Sequence, residues 1–187
     1  MQTIILASQS PRRRELFSLI TPQFECAVSE IDERAVQASD AKALCETLAR
    51  RKAASVAALR PGCVVVGSDT VVEADGRVLG KPHDPAEARE MLQLLSGRTH
   101  AVHTGVCIAE GARLRSFVCT TEVTFFPIPP AEIEAYIATD EPYDKAGGYG
   151  IQGRAARWTD SIRGDYFNVM GLPVSRVYAA LREENFV

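Results

Sequence analysis

Arg12, Arg13 and Arg14 follow Ser10-Pro11 in what reads as the first turn of a helix. Ser10 is a natural N-cap and Pro11 suits the first helical position. Cations are disfavoured at that end of the helix dipole unless an anion shares the site. Free backbone N–H groups already cradle anions there, and guanidinium forks suit phosphate bidentately. Asp69, on the Gly67-Ser68-Asp69-Thr70 step, follows a predicted buried strand, the place where open α/β sheets gather reactive groups. Lys81 stands in the rigid Gly80-Lys81-Pro82 loop, and Glu30, Asp32 and Glu33 form an acidic cluster. Taken singly, these are solvated arginines, an Asx-turn aspartate, a surface lysine and a charge run. Taken together, they supply carboxylates for a hard divalent cation and cations for phosphate oxygens. That is the equipment for splitting a phosphoanhydride.

The elements that must position these groups follow from pattern. A strand is expected near Thr3–Leu6, then the helix from Pro11, then a short strand around Phe24–Val28. Asp40 caps a long Ala-rich helix to about Leu59, stopped by Pro61-Gly62. The apolar run Cys63–Val66 predicts a central strand ending at Gly67-Ser68-Asp69, with extended chain resuming at Val71. Asp75-Gly76 is a hairpin turn. Asp84-Pro85 opens another helix, closed by Gly97; two β-rich stretches, Thr99–Glu110 and Arg113–Phe126, come next. A short helix over Pro130–Ala138, a glycine-rich loop over Gly147–Gly153 and a last helix over Pro173–Glu183 complete the chain. Strands and helices mix without strict alternation, which predicts an α/β fold with a mixed sheet flanked by helices.

At 187 residues the chain fits one domain spanning 1–187, with room for two lobes around a cleft. A net charge of −3 provides no global attraction to nucleic acid, so any basic site must be local. No apolar stretch reaches membrane-span length, and the N-terminus lacks the features of a signal peptide. The five cysteines are scattered without C-x-x-C spacing, so reduced and mostly buried thiols in a cytoplasmic protein are expected. Gly148 to Gly153 matches G-x-G-x-x-G in letters only, because no apolar strand precedes it and a polar stretch follows. Gly76 to Lys81 imitates a P-loop but is one residue short between its glycines, with Pro82 where Ser or Thr should stand. His100 and His103 are three apart in a predicted strand and so point to opposite faces, which argues against a zinc pair.

The ordered blocks Leu6-Ala7-Ser8, Ser10-Pro11-Arg12-Arg13, Glu33, Lys52, Gly67-Ser68-Asp69-Thr70, Gly80-Lys81-Pro82, Leu95-Ser96-Gly97, Asp144-Lys145-Ala146-Gly147, Gly150-Ile151-Gln152-Gly153 and Gly171-Leu172-Pro173 run nearly end to end. In them the chain resembles the Maf-type nucleoside triphosphate pyrophosphatases, also called septum-formation inhibitor proteins. The resemblance implies a mixed α/β fold similar to inosine triphosphate pyrophosphatases, with a cleft between two lobes. It implies hydrolysis of a nucleoside triphosphate to the monophosphate and pyrophosphate with a divalent metal, Mg²⁺ or Mn²⁺, and is compatible with a homodimer. It assigns Ser8, Arg13, Lys52 and Lys81 to phosphate binding, Glu33 to the metal, and Asp69 either to activation of water as base or to the metal. Arg12, Thr70 and Gln152 match the subgroup acting on dTTP and UTP; a subgroup with Trp, Gln and Glu there prefers 7-methyl-GTP. The same site also suits two rivals: a nucleotide-sensing regulator of cell division that binds without turnover, and a nucleotidyltransferase.

Overall fold

A computed structural model describes residues 2–187. Its centre is a seven-stranded mixed sheet in the order β2-β1-β3-β5-β6-β7, with β4 paired to β3 beside that path. The strands are β1 (Ile4–Ala7), β2 (Glu25–Ala27), β3 (Val64–Ala74), β4 (Arg77–Leu79), β5 (Thr99–Glu110), β6 (Arg113–Phe125) and β7 (Thr159–Arg163). The helices are α1 (Pro11–Ser18), α2 (Ala41–Leu59), α3 (Pro85–Leu95), α4 (Pro130–Ile137), α5 (Tyr166–Met170) and α6 (Val174–Glu183). Local chemistry accounts for most of these limits. The side chains of Ser10, Asp40 and Asp84 each accept an N–H from the first turn of α1, α2 and α3. Asp75 and Gly76 both take positive φ, as the two-residue β3–β4 hairpin requires.

Alternation divides the sheet into two faces. Ile5, Ala7 and Val65 pack with Ala49, Ala53 and Val56 of α2. Ile4, Leu6, Val64 and Val66 turn the other way, into the main core shared with α1, α3, α4 and α6. Helix α2 lies unusually close to the sheet because two of the residues beneath it are glycine. A Cβ on Gly67 would come within 2.7 Å of the Ala53 backbone nitrogen, and one on Gly105 would overlap the Cys45 carbonyl. Gly105→Ala is therefore expected to force α2 off the sheet, at a cost of about 1–3 kcal/mol. Thermal denaturation checks the loss, and an unchanged melting temperature would show that the helix seats elsewhere.

The central strand does not end at Gly67-Ser68-Asp69; β3 runs unbroken from Val64 to Ala74, and Asp69 sits in its middle, opposite Gly105 of β5. The glycine that reads as a strand breaker is a close-approach position. The strand is nevertheless half open there. Parallel pairing to β1 stops at Gly67 and antiparallel pairing to β4 starts at Val72, so residues 68–71 have no strand on that edge among the described residues. Strand β7 and helix α5 also lie where no element is predicted. The Gly148–Gly153 stretch runs into a short 3-10 turn, Arg154–Trp158, rather than an α-helix. The five cysteines are all free; Cys45, Cys107 and Cys119 are buried, while Cys26 is exposed. His100 and His103 are both buried, on opposite faces, bonded to Tyr149 and to Glu73 with Thr120 respectively. No helix among the described residues is long and apolar enough to cross a membrane.

Candidate active site

A cleft of about 850 Å³ opens along the free edge of β3. Asp69 and Thr70 are adjacent in that strand and so point to opposite faces, yet both reach the cleft because no neighbouring strand covers the edge. On the α2 face, Lys52 donates to Asp69 Oδ1 at 2.6 Å and lies 2.9 Å from Glu33 Oε1. Lys52 and Asp69 are both buried; Glu33, in a 3-10 turn over Glu33–Ala35, is exposed at the rim. An ammonium has three donors, so two spent on carboxylates leave one for an incoming oxygen.

On the opposite face, Arg13 is half-buried. Its Nε donates to the Gly171 carbonyl at 2.8 Å and its Nη2 to Thr70 Oγ1 at 3.0 Å. Burial lowers the Arg13 pKa, opposed by the nearby Asp69 and Glu33 charges; a guanidinium remains protonated regardless. Thr70 Oγ1 also meets Thr104 Oγ1 at 2.9 Å, and Ser68 donates to the same Gly171 carbonyl at 3.1 Å. Arg12 crosses the cleft to Asp144 at 3.0 Å. Burial pushes the Asp144 carboxyl up, but hydrogen bonds from Lys145 and Arg12 outweigh it and hold that carboxyl below its ordinary value.

Most of the residues singled out from the sequence thus line one cleft: Arg12, Arg13, Glu33, Lys52, Asp69, Thr70, Lys81 and Gln152. Ser8 does not. Its hydroxyl accepts the Ser10 N–H at 3.1 Å, and it lines a separate depression beside β2 together with Arg14. It steadies the cap of α1 rather than facing the cleft. The three arginines accordingly divide, with two on the cleft and one behind it. Asp144 and Gly171, which hold Arg12 and Arg13, carry no distinguishing sign of their own in the sequence beyond lying in matched blocks.

The donor set fits a hard divalent cation of the kind that substrate completes. The Asp69 and Glu33 carboxylates meet at Lys52 Nζ, and each has more acceptor sites than the one contact it makes there, so both can also serve a cation beside the ammonium. Magnesium is usually held by one or two carboxylates plus substrate phosphates. Among the described residues no group of three or more His, Cys, Asp or Glu forms an all-protein cage.

A mixed sheet whose open edge sets a carboxylate between cations on both faces defines an α/β protein built to bring a polyanion against that carboxylate. Comparison with known proteins makes this specific. A family model described as "Maf-like protein" matches residues 3–184. A "dTTP/UTP pyrophosphatase" of Bacillus cytotoxicus is 48% identical over 183 residues, covering 98% of this chain and 96% of that protein. One of Bacillus cereus is 48% identical over 185 residues, covering 99% and 97%. Among solved structures, the Ham1 protein of Staphylococcus aureus superposes with a TM-score of 0.57 at 13% identity, covering 98% of this chain and all (100%) of that one. A "Nucleoside-triphosphatase / dITP/XTP pyrophosphatase" of Mycobacterium abscessus gives 0.50 at 16% identity, with 100% of both chains covered. At such identities the likeness is one of fold, and it bears out the expected architecture. The chain belongs to the Maf-like protein family.

Proposed function

We propose that this protein hydrolyses nucleoside triphosphates, dTTP and UTP before others, to the monophosphate and pyrophosphate. The observation that carries this reading is the buried Lys52–Asp69 pair, with Glu33 beside it, in a cleft whose other face presents Arg13. The names of the 48%-identical relatives point the same way. Water attacks the α-phosphorus, the α–β anhydride bond breaks, and pyrophosphate leaves. Asp69 takes the proton from that water, and Lys52 holds the carboxylate in place. Arg13, Lys81 and the remaining Lys52 donor neutralise phosphate oxygens as charge develops on the leaving group. Glu33, joined by Asp69 in the alternative to its role as base, would hold a divalent cation, Mg²⁺ or Mn²⁺, which would supply charge neutralisation on the phosphates. The compartment proposed is the cytoplasm, in keeping with five cysteines that form no disulfide among the described residues.

Incubation with UTP and Mg²⁺ tests it, with every product identified. UMP and pyrophosphate support hydrolysis. UMP joined to an acceptor would indicate a transferase, and binding without product a sensor.

Selectivity is assigned to Arg12, Thr70 and Gln152, which share the cleft. An amide can meet the O4 and N3–H edge common to uracil and thymine. The hydrogen bonds among the described residues include none to the Gln152 side chain, so its amide is free to turn toward cytosine as well. The expected ranking is dTTP and UTP first, then CTP, with GTP far behind. Replacing the set together (Arg12→Trp, Thr70→Gln, Gln152→Glu) is expected to move activity toward 7-methyl-GTP. Tryptophan stacks on a cationic purine and glutamate adds an anion. A substrate panel on both proteins decides; a triple variant that keeps the parental ranking ends the assignment of this set.

A further inference from the structure

The loop that carries Gln152 is fastened from behind. Gly150 N–H donates to the Tyr136 hydroxyl at 3.2 Å, and that hydroxyl donates to Glu141 Oε1 at 3.0 Å. Two residues past Gln152, the Arg154 N–H is shared between the two Glu141 oxygens at 3.0 and 3.2 Å. One carboxylate and one phenol therefore grip both flanks of a five-residue span, Gly150 to Arg154, with Gln152 exposed at its middle. The contact is close. A Cβ on Gly153 would overlap the Glu141 carboxylate, and one on Gly150 would come within 2.7 Å of the Lys145 side chain. Tyr136 is fully buried, and burial together with the Glu141 charge raises its pKa, so the phenol keeps the proton it donates. Neither Tyr136 nor Glu141 is among the residues lining the cleft.

We infer that Tyr136 and Glu141 are a positioning pair that sets base selectivity from outside the cleft, holding the Gln152 loop where its amide meets the edge of a uracil or thymine and not that of a guanine. The inference rests on the reading that Gln152 meets the base. A backbone pinned at both flanks offers the side chain at 152 from one fixed position, so what that side chain can hydrogen-bond decides which base is favoured. Released, the loop shifts, the amide loses the O4 and N3–H edge, and the advantage of uracil over guanine falls.

The test is the ratio of kcat/KM for UTP to that for GTP in the full-length protein, because a ratio does not depend on the fraction of folded enzyme. Glu141→Gln keeps the shape but turns an amide donor toward the Arg154 or Tyr136 donor; Tyr136→Phe removes the Gly150 contact together with the phenol's own bond to Glu141, and leaves Glu141 on the Arg154 N–H. Both are expected to lower the ratio on the order of tenfold, as small misplacements of a contact do. The KM for UTP should rise while its kcat stays within about twofold, since the reacting groups are untouched. Gln152→Ala should lower the ratio too, and Glu141→Gln added to it should change nothing further. If Gln152→Ala moves the ratio but neither Glu141→Gln nor Tyr136→Phe does, the positioning pair is refuted and the Gln152 reading stands. If Gln152→Ala leaves the ratio unchanged, the Gln152 reading is refuted and the pair's role in selectivity goes with it. An undiminished Glu141→Gln effect in the Gln152→Ala background would show that Glu141 acts by another route, which also overturns the inference.

Discussion

Asp69→Asn should give a folded protein that binds nucleoside triphosphate and turns it over on the order of 10²–10⁴-fold more slowly, the usual loss when a general base is removed. The substitution keeps the side-chain outline in a position that is 7% exposed, so the strand register opposite Gly105 has no reason to change. What changes is chemistry. The amide cannot accept the proton of the attacking water, and it removes a negative charge from a cluster that balances one ammonium against two carboxylates. Removing one partner of a buried ion pair costs about 3–5 kcal/mol when the remaining charge is left alone. Here Glu33 stays 2.9 Å from Lys52, and the Asn carbonyl can still accept from it, so the stability loss should fall below that range. Product-resolved initial rates with UTP, alongside a binding isotherm, separate the two effects. Near-normal turnover would remove Asp69 from the mechanism and make Glu33 the next candidate.

Asp69 also shows where reading the chain by pattern stops. The caps at Ser10, Asp40 and Asp84 and the Asp75-Gly76 hairpin are local, so residue type and spacing are enough to find them. Gly67-Ser68-Asp69 is different. In one dimension the triplet reads as a turn; in three dimensions Gly67 makes room for α2, and the strand continues. The helix that demands the glycine is also the one that delivers Lys52, 17 residues away in sequence, to the aspartate. Strand β7 was hidden for a related reason. It is a sheet-edge strand whose residues are mostly exposed, so it lacks an apolar alternation. The site residues were legible chiefly through the resemblance, which supplies their order but not their contacts. Nothing in periodicity joins Arg13 to Gly171, 158 positions apart, or separates Ser8 from the cleft.

That Arg13–Gly171 contact changes what its removal should do. From sequence, Arg13 is a cation at the wrong end of a helix, and Arg13→Ala should leave the fold untouched or slightly relieved. In the structure the guanidinium ties α1 to the end of α5 and to β3 through Gly171 and Thr70. The carbonyl keeps Ser68 and the threonine keeps Thr104, so neither is orphaned. The loss of two hydrogen bonds then predicts a destabilisation of about 1–2 kcal/mol, opposite in sign to relief of the dipole. The effect on activity should be much larger. A half-buried cation already desolvated and fixed by two hydrogen bonds meets a phosphate oxygen without reorganising, and losing such a donor costs on the order of 10²–10³-fold. Arg13→Lys should recover only part, because an ammonium lacks the fork that reaches Gly171, Thr70 and an anion together. Arg14→Ala is the control: it removes a neighbouring arginine that lines the separate depression beside β2, and kcat/KM should stay within about twofold. Steady-state kinetics with UTP on the three variants, paired with thermal melts, decides the matter. If Arg13→Ala melts early but keeps wild-type kcat/KM, the residue is a structural tie and the phosphates are held by Lys52 and Lys81 alone.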